Sequence, residues 1–166
     1  ILAEAAARIV DSVFEQGKVL DYQLANAFDA NPKWGKRDRG FIAETVFEVA
    51  RWRRALTFLV ESEETSALCA AQWVRMGYDL PEWWTYNGAP AETIVGREAE
   101  LFQQPRAIRE SIPDWLDTLG QEELGTNWDV ELAALNQRSG VYLRVNTLKS
   151  TREAAIAWLA SYNIIA

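Results

Sequence analysis

The sequence predicts an all-α body that ends in a short βα segment, and three observations predict it. Apolar residues recur at steps of three and four through most of the first 137 positions, the period of helices with one buried stripe. Glycine and proline fall between these stripes, at Gly17, Pro32, Gly77, Pro90, Pro105 and Gly125. Alternation with period two occurs near the end, where Val141, Leu143 and Val145 face Tyr142, Arg144 and Asn146.

Taken in order, Ile1 to Gln16 is the first helix, with Ile1, Ala5, Ile9, Val13 and Phe14 on its apolar side. Gly17 ends it. Leu20, Leu24, Ala27 and Phe28 carry a second helix, which Asn31-Pro32 breaks. Lys33 to Arg37 is a basic turn, and Asp38 is the expected N-cap of a long third helix running to about Leu59. Ile42, Val46, Val49, Leu56 and Val60 form the apolar face of that helix. Ser62 to Gly77 is a fourth helix, with Leu68, Ala71 and Val74 inward. Tyr78 to Pro90, rich in Trp, Tyr, Pro and Gly, reads as a loop, and Ala91 to Gln104 returns to the helical period. Pro105 restarts the chain, and Pro113 lies near the first turn of a further helix. Gly120 and Gly125 mark breaks, Glu122-Glu123 a helix start, and Trp128 to Gln137 a last helix with Leu132 and Leu135 inward. A strand, a helix opened by the capping box Ser150-Thr151-Arg152-Glu153, and the start of another strand at Ile164-Ile165 close the chain. A start inside a helical pattern and an end at a new α/β unit predict a piece of something longer.

Composition narrows the function. With 49% apolar residues the 166-residue chain can bury a core. It has no histidine, which removes the commonest general base and zinc ligand. A single cysteine, Cys69, cannot form an internal disulfide, so a reducing, cytoplasmic setting is expected. Cys69 lies in an apolar helical pattern with no cation beside it, which predicts a structural thiol. The apolar runs are far shorter than the roughly 18–20 residues of a membrane span. No Gly-rich phosphate loop follows a strand, so no cofactor site is expected in these residues.

The net charge of −7 hides a strong polarity. Residues 33–54 hold seven cations (Lys33, Lys36, Arg37, Arg39, Arg51, Arg53, Arg54) against Asp38, Glu44 and Glu48, a balance of +4 that leaves −11 on the rest. At about 100° per residue from Ile42, Arg51 falls near 180° and Arg54 near 120°, away from the apolar stripe. Arg53 near 20° and Arg39 near 60° fall on or beside it. Lys36, Arg37, Arg51 and Arg54 are therefore the candidates for phosphate contact, with Trp34 as a base-stacking indole beside them. Asp38, Arg39 and Arg53 are expected to serve the fold. Two bland readings stand beside these: a solvated face laced with ion pairs such as Glu48–Arg51, and Trp34 as a plug between helices. The pair Trp83-Trp84 is a candidate contact for another domain.

Three segments then suggest a family. Lys36-Arg37-Asp38-Arg39-Gly40-Phe41-Ile42, leading into a helix that reaches Arg51, resembles the Asp-Arg helix of the NusB-like all-α domain. Ser111-Ile112-Pro113-Asp114-Trp115-Leu116 with Trp128 and Leu135-Asn136, and Leu143-Arg144-Val145-Asn146-Thr147-Leu148-Lys149, resemble the N-terminal half of the Fmu/Sun (NOL1/NOP2) family. The resemblance implies a NusB-like bundle over 1–104, a helical linker over 105–138 and the truncated start of a ferredoxin-like unit over 139–166. It implies a parent enzyme that methylates C5 of cytosine in ribosomal RNA, with S-adenosylmethionine as the parent's cofactor. Its partners are then structured RNA, which Arg144 joins the basic cluster in contacting, and the downstream catalytic domain. The family's two catalytic cysteines match no position here, so no catalytic residue is carried over. The alternative is a protein-interaction module that docks a partner or its own catalytic domain.

Overall fold

The computed structural model describes residues 1–137, 140 and 142–165, in two compact units, Ile1–Ala134 and Leu135–Ala166. The first unit is helical throughout. Its elements are α1 (Leu2–Phe14), α2 (Leu20–Ala30), α3 (Lys36–Arg51), α4 (Arg53–Val60), α5 (Thr65–Arg75), α6 (Ala91–Leu101), α7 (Arg106–Arg109), α8 (Asp114–Leu124), a 3₁₀ turn (Gly125–Asn127) and α9 (Trp128–Asn136), which crosses into the second unit. α1 packs on α2, α3 and α5, and α4 packs on α5, α6 and α7. Ala5, Ala6, Ile9 and Val10 of α1 meet Ile42, Val46 and Val49 of α3 and the small residues Ala67, Cys69 and Ala71 of α5 in one core. Small residues on α1 and α5 let the backbones approach closely. Inside this core the Trp73 indole N–H donates to Thr45 Oγ1 at 3.0 Å, so neither buried polar group is left unpaired. Gly17, Gly77 and Gly125 adopt positive φ and end or follow their helices, as the sequence predicts.

The structure corrects several expectations. The long third helix is two helices. Trp52 (φ −101°, ψ 19°) leaves the helical region, and the Arg54 N–H, freed from the helical ladder, donates to Ser111 Oγ at 2.9 Å. No glycine or proline marks this break, because a hydrogen bond from a residue 57 positions away replaces the local one. Asp38 is not the N-cap. Gly35 holds that position, and the Asp38 carboxylate accepts its N–H at 3.0 Å from the third helical residue. Glu122-Glu123 end α8 rather than start a helix.

Gly120 does not break a helix. It lies buried in the middle of α8, where an added Cβ would stand 2.2 Å from the Trp128 indole. The glycine is there so that α8 can lie directly on that ring. Ala107, Ile112, Trp128 and Leu132, with Leu116, form a second small core around it. Leu135, expected inward, is 67% exposed.

In the second unit the described residues contain no strand; 142–146 and 164–165 are irregular, and Val141 lies outside the described residues. A strand exists only through hydrogen bonds to a partner strand, and none is present among them. Asn146 instead organises a turn, its Oδ1 accepting the Leu148 N–H at 3.0 Å. α10 (Arg152–Ala160) is capped by Thr151, whose hydroxyl accepts the Ala154 N–H at 3.2 Å, so the cap sits one residue later than the predicted Ser150. No helix among the described residues is long and apolar enough to cross a membrane.

Candidate nucleic-acid interface

The basic segment maps onto α3, its entry turn and the start of α4. Lys33, Lys36 and Arg37 are exposed at the N-terminal end of α3. Cations in a first turn oppose the helix dipole. Their charges therefore add to the positive end of α3, and Asp38 offsets one of them. Arg51 is exposed at the opposite end of the helix. Fifteen residues at 1.5 Å each separate it from Lys36 by roughly 22 Å. Helical spacing puts Arg37, Glu44, Phe47 and Arg51 on the outward side of α3, with Phe47 exposed. The outward face thus carries positive charge at its two ends, with an acid and a ring between.

Several other residues of the cluster have partners within the fold. Arg54 is held in a clasp: Nη1 donates to the Ile112 carbonyl at 2.5 Å and to Asp114 Oδ1 at 2.9 Å, while its own N–H is held by Ser111. Ser111, with φ 56°, turns the chain so that its hydroxyl and the next carbonyl both face α4. This assigns a physical role to the Ser-Ile-Pro-Asp stretch: it receives the first turn of α4. Arg39 donates to the Trp34 carbonyl at 3.0 Å and lies 5.3 Å from the centre of the Phe28 ring. Arg53 lies over the Phe14 ring at 4.4 Å. Trp34 is half-buried, edge-on to Phe28 at 6.5 Å. Arg144 is exposed in the second unit.

Trp84 packs on Trp73 at 4.8 Å and donates to the Ser66 carbonyl at 3.2 Å, while Trp83 is 59% exposed. Trp83, Tyr78, Phe41 and Trp73 border an apolar pocket of about 380 Å³ against the start of α1, with Asp79 beside them.

Sequence reasoning passed over Arg106. It donates to Asp117 at 2.6 Å, Gln121 at 2.7 Å and Asp129 at 3.2 Å, and Trp128 donates to the same Asp117 oxygen at 2.9 Å. Burial alone raises the Asp117 carboxyl. The hydrogen bonds from Trp128 and Arg106 and the charges of Arg106 and Arg109 outweigh it, and the net shift is downward. The available signal was the run of acids after Pro113 facing two arginines before it.

Cys69 is fully buried, and burial pushes its thiol up to about 12. In the native state at pH 8 it is expected to resist iodoacetamide, and to react once urea unfolds the chain. Rapid native labelling, read by mass spectrometry, would contradict this burial.

Residues 112–166 match the model described as the Methyltr_RsmF/B-like, ferredoxin-like domain, which relates the chain to that methyltransferase family. No curated protein and no solved structure matches the chain.

Proposed function

We propose that this chain is the N-terminal, RNA-gripping part of an S-adenosylmethionine-dependent ribosomal-RNA cytosine-C5 methyltransferase working in the cytoplasm. A NusB-like bundle over 1–104 and a helical linker over 105–138 lead into the start of a ferredoxin-like unit over 139–166. The observation that carries the reading is the likeness of residues 112–166 to a domain of RsmF/B-like methyltransferases. The exposed cations Lys33, Lys36, Arg37 and Arg51 support the RNA part of it. Contacts of this kind take phosphates and shape rather than sequence. Among the described residues there is no strand-borne glycine loop, and the single thiol is buried. On this reading S-adenosylmethionine and the methyl-transfer step belong to the catalytic domain downstream. The part of this chain's own residues is to hold RNA and orient it for that domain.

The triple variant Lys36→Glu, Arg37→Glu, Arg51→Glu tests this. At about 50 mM salt it is expected to bind an rRNA hairpin about tenfold more weakly or worse, with a shallower dependence of log Kd on log salt. Equal affinity of variant and wild type in a gel shift would reject the RNA role.

A second reading has its own observation. The exposed Trp83 beside an apolar pocket, on a body that carries −11 outside residues 33–54, suits docking of a partner protein or of the chain's own catalytic domain. Binding of the isolated downstream half, lost in Trp83→Ala and retained in the triple variant, would favour it.

A further inference from the structure

We infer that the outer face of α4 holds a phosphate-binding cleft centred on Arg53, a residue that sequence reasoning assigned to the fold; as an RNA contact it rests on the function proposed above. The break at Trp52 is what creates it. On one continuous helix Arg53 falls near the apolar stripe. On the separate α4 the buried residues are Ala55, Leu56, Leu59 and Val60, and Arg53, Arg54, Thr57 and Phe58 take the other side. Spacings of three and four residues put Arg53, Arg54 and Thr57 within one turn of each other. They line an open cleft of about 560 Å³, walled by Phe58 and Ile108.

The two arginines have different charge states to offer. The Arg54 charge is already met by Asp114. The Arg53 guanidinium lies over the Phe14 ring, and no carboxylate among the described residues pairs with it. Stacking satisfies one face of the guanidinium and leaves its in-plane N–H donors unmatched. A planar donor fork in a cleft, beside a hydroxyl that donates one more hydrogen bond, fits the tetrahedral oxygens of a phosphate. A free carboxylate could fill the same fork, but Glu63, which lines the cleft, is exposed on the chain between α4 and α5 and forms no such pair. Its charge instead opposes an entering anion. Removing it therefore has a predictable sign, opposite to that of removing Arg53.

The test compares the 166-residue chain with Arg53→Met, Arg53→Lys, Thr57→Val and Glu63→Gln, alongside the α3 triple variant. The probes are an rRNA hairpin over about 50–200 mM salt and inorganic phosphate followed by NMR. In the wild type, phosphate is expected to move the Arg53 Nε–H and Thr57 amide resonances. Arg53→Met is expected to weaken hairpin binding about three- to tenfold and to lower the salt slope by roughly one phosphate, about 0.7–0.9. Arg53→Lys should restore the slope, which a purely packing role on Phe14 would not. Thr57→Val should weaken binding without touching that stack, and Glu63→Gln should tighten it about two- to threefold. Phosphate shifts with an unchanged hairpin slope would assign the cleft to free phosphate rather than to RNA. No shift at Arg53 or Thr57, with slopes unchanged in every α4 variant, overturns the cleft. That result leaves the α3 reading standing if the triple variant still loses RNA. A wild type that binds no hairpin ends the RNA reading, and the phosphate titration alone then decides the cleft.

Discussion

Gly120→Ala is expected to destabilise the Ile1–Ala134 unit by about 1–3 kcal/mol, whereas Gly96→Ala, the same change in another helix, is expected to stabilise it by about 0.5–1 kcal/mol. Both glycines lie inside helices, α8 and α6, and both substitutions gain intrinsic helix propensity. What surrounds them sets the sign. At Gly96 an added methyl meets nothing within 4 Å and remains in water. At Gly120 it meets three atoms of the Trp128 indole at 2.2–2.6 Å. That ring is rigid, buried, and tied to Asp117 by its N–H. Relief requires α8 to lift from α9 or the indole to leave its hydrogen bond. Urea unfolding followed by tryptophan fluorescence should show the two midpoints moving in opposite directions with similar m-values. Stabilisation by both substitutions would mean that α8 does not rest on Trp128.

Arg106→Met is expected to cost about 2–4 kcal/mol at neutral pH. Methionine keeps much of the stem's packing but removes the donors that join α7 to Asp117 and Gln121 of α8 and to Asp129 of α9. Asp117 would keep only the Trp128 N–H for a carboxylate whose side chain is 22% exposed. The exposed Asp129 loses little, because water and Arg109 remain to it. The pH dependence carries a sign. The native Asp117 carboxyl lies below its ordinary value, so on acidification the unfolded chain takes up this proton first. Its contribution is complete above the ordinary aspartate value near 4 and is lost as pH falls through the lower native value. The variant loses the Arg106 share of that contribution and keeps the shares of Trp128 and Arg109. The gap between wild type and Arg106→Met in urea midpoint should therefore be widest near pH 7 and shrink towards pH 3. A gap of constant size across that range would remove the Arg106–Asp117 pair as its source.

Much of the first unit was legible because it is local. The stripes of α1, α2 and α5, the stops at Gly17 and Gly77, and the loop over 78–90 follow from spacing and backbone preference within a few residues. The inert setting of Cys69 followed from its neighbours alone. The break at Trp52 was not legible, because Ser111 causes it from far along the chain. One missed break was enough to set Arg53 beside the apolar stripe in the angular reading, whereas on the separate α4 it shares the outer side with Arg54. Nor could spacing show that the Arg54 guanidinium donates to the Ile112 carbonyl and to Asp114. Gly120 looked like punctuation because a glycine that permits a turn and one that permits close contact are the same letter. Strand character at 142–146 was read from alternation, but alternation reports a preference, and the ladder that would realise it needs a second strand.

By itself the sequence determined that the body is helical, where its charge is concentrated, and that its cysteine is a core residue. These depend on side-chain chemistry and on periods of three to four residues. Only the tertiary structure decided what Arg53 and Arg54 touch, which helix is in fact two, and why a glycine sits under a tryptophan. Each of those outcomes rests on a partner more than ten positions distant (Ser111 for Arg54, Phe14 for Arg53), or on two helices pressed face to face, and a hydrogen bond or contact across that distance leaves no periodic trace in the chain.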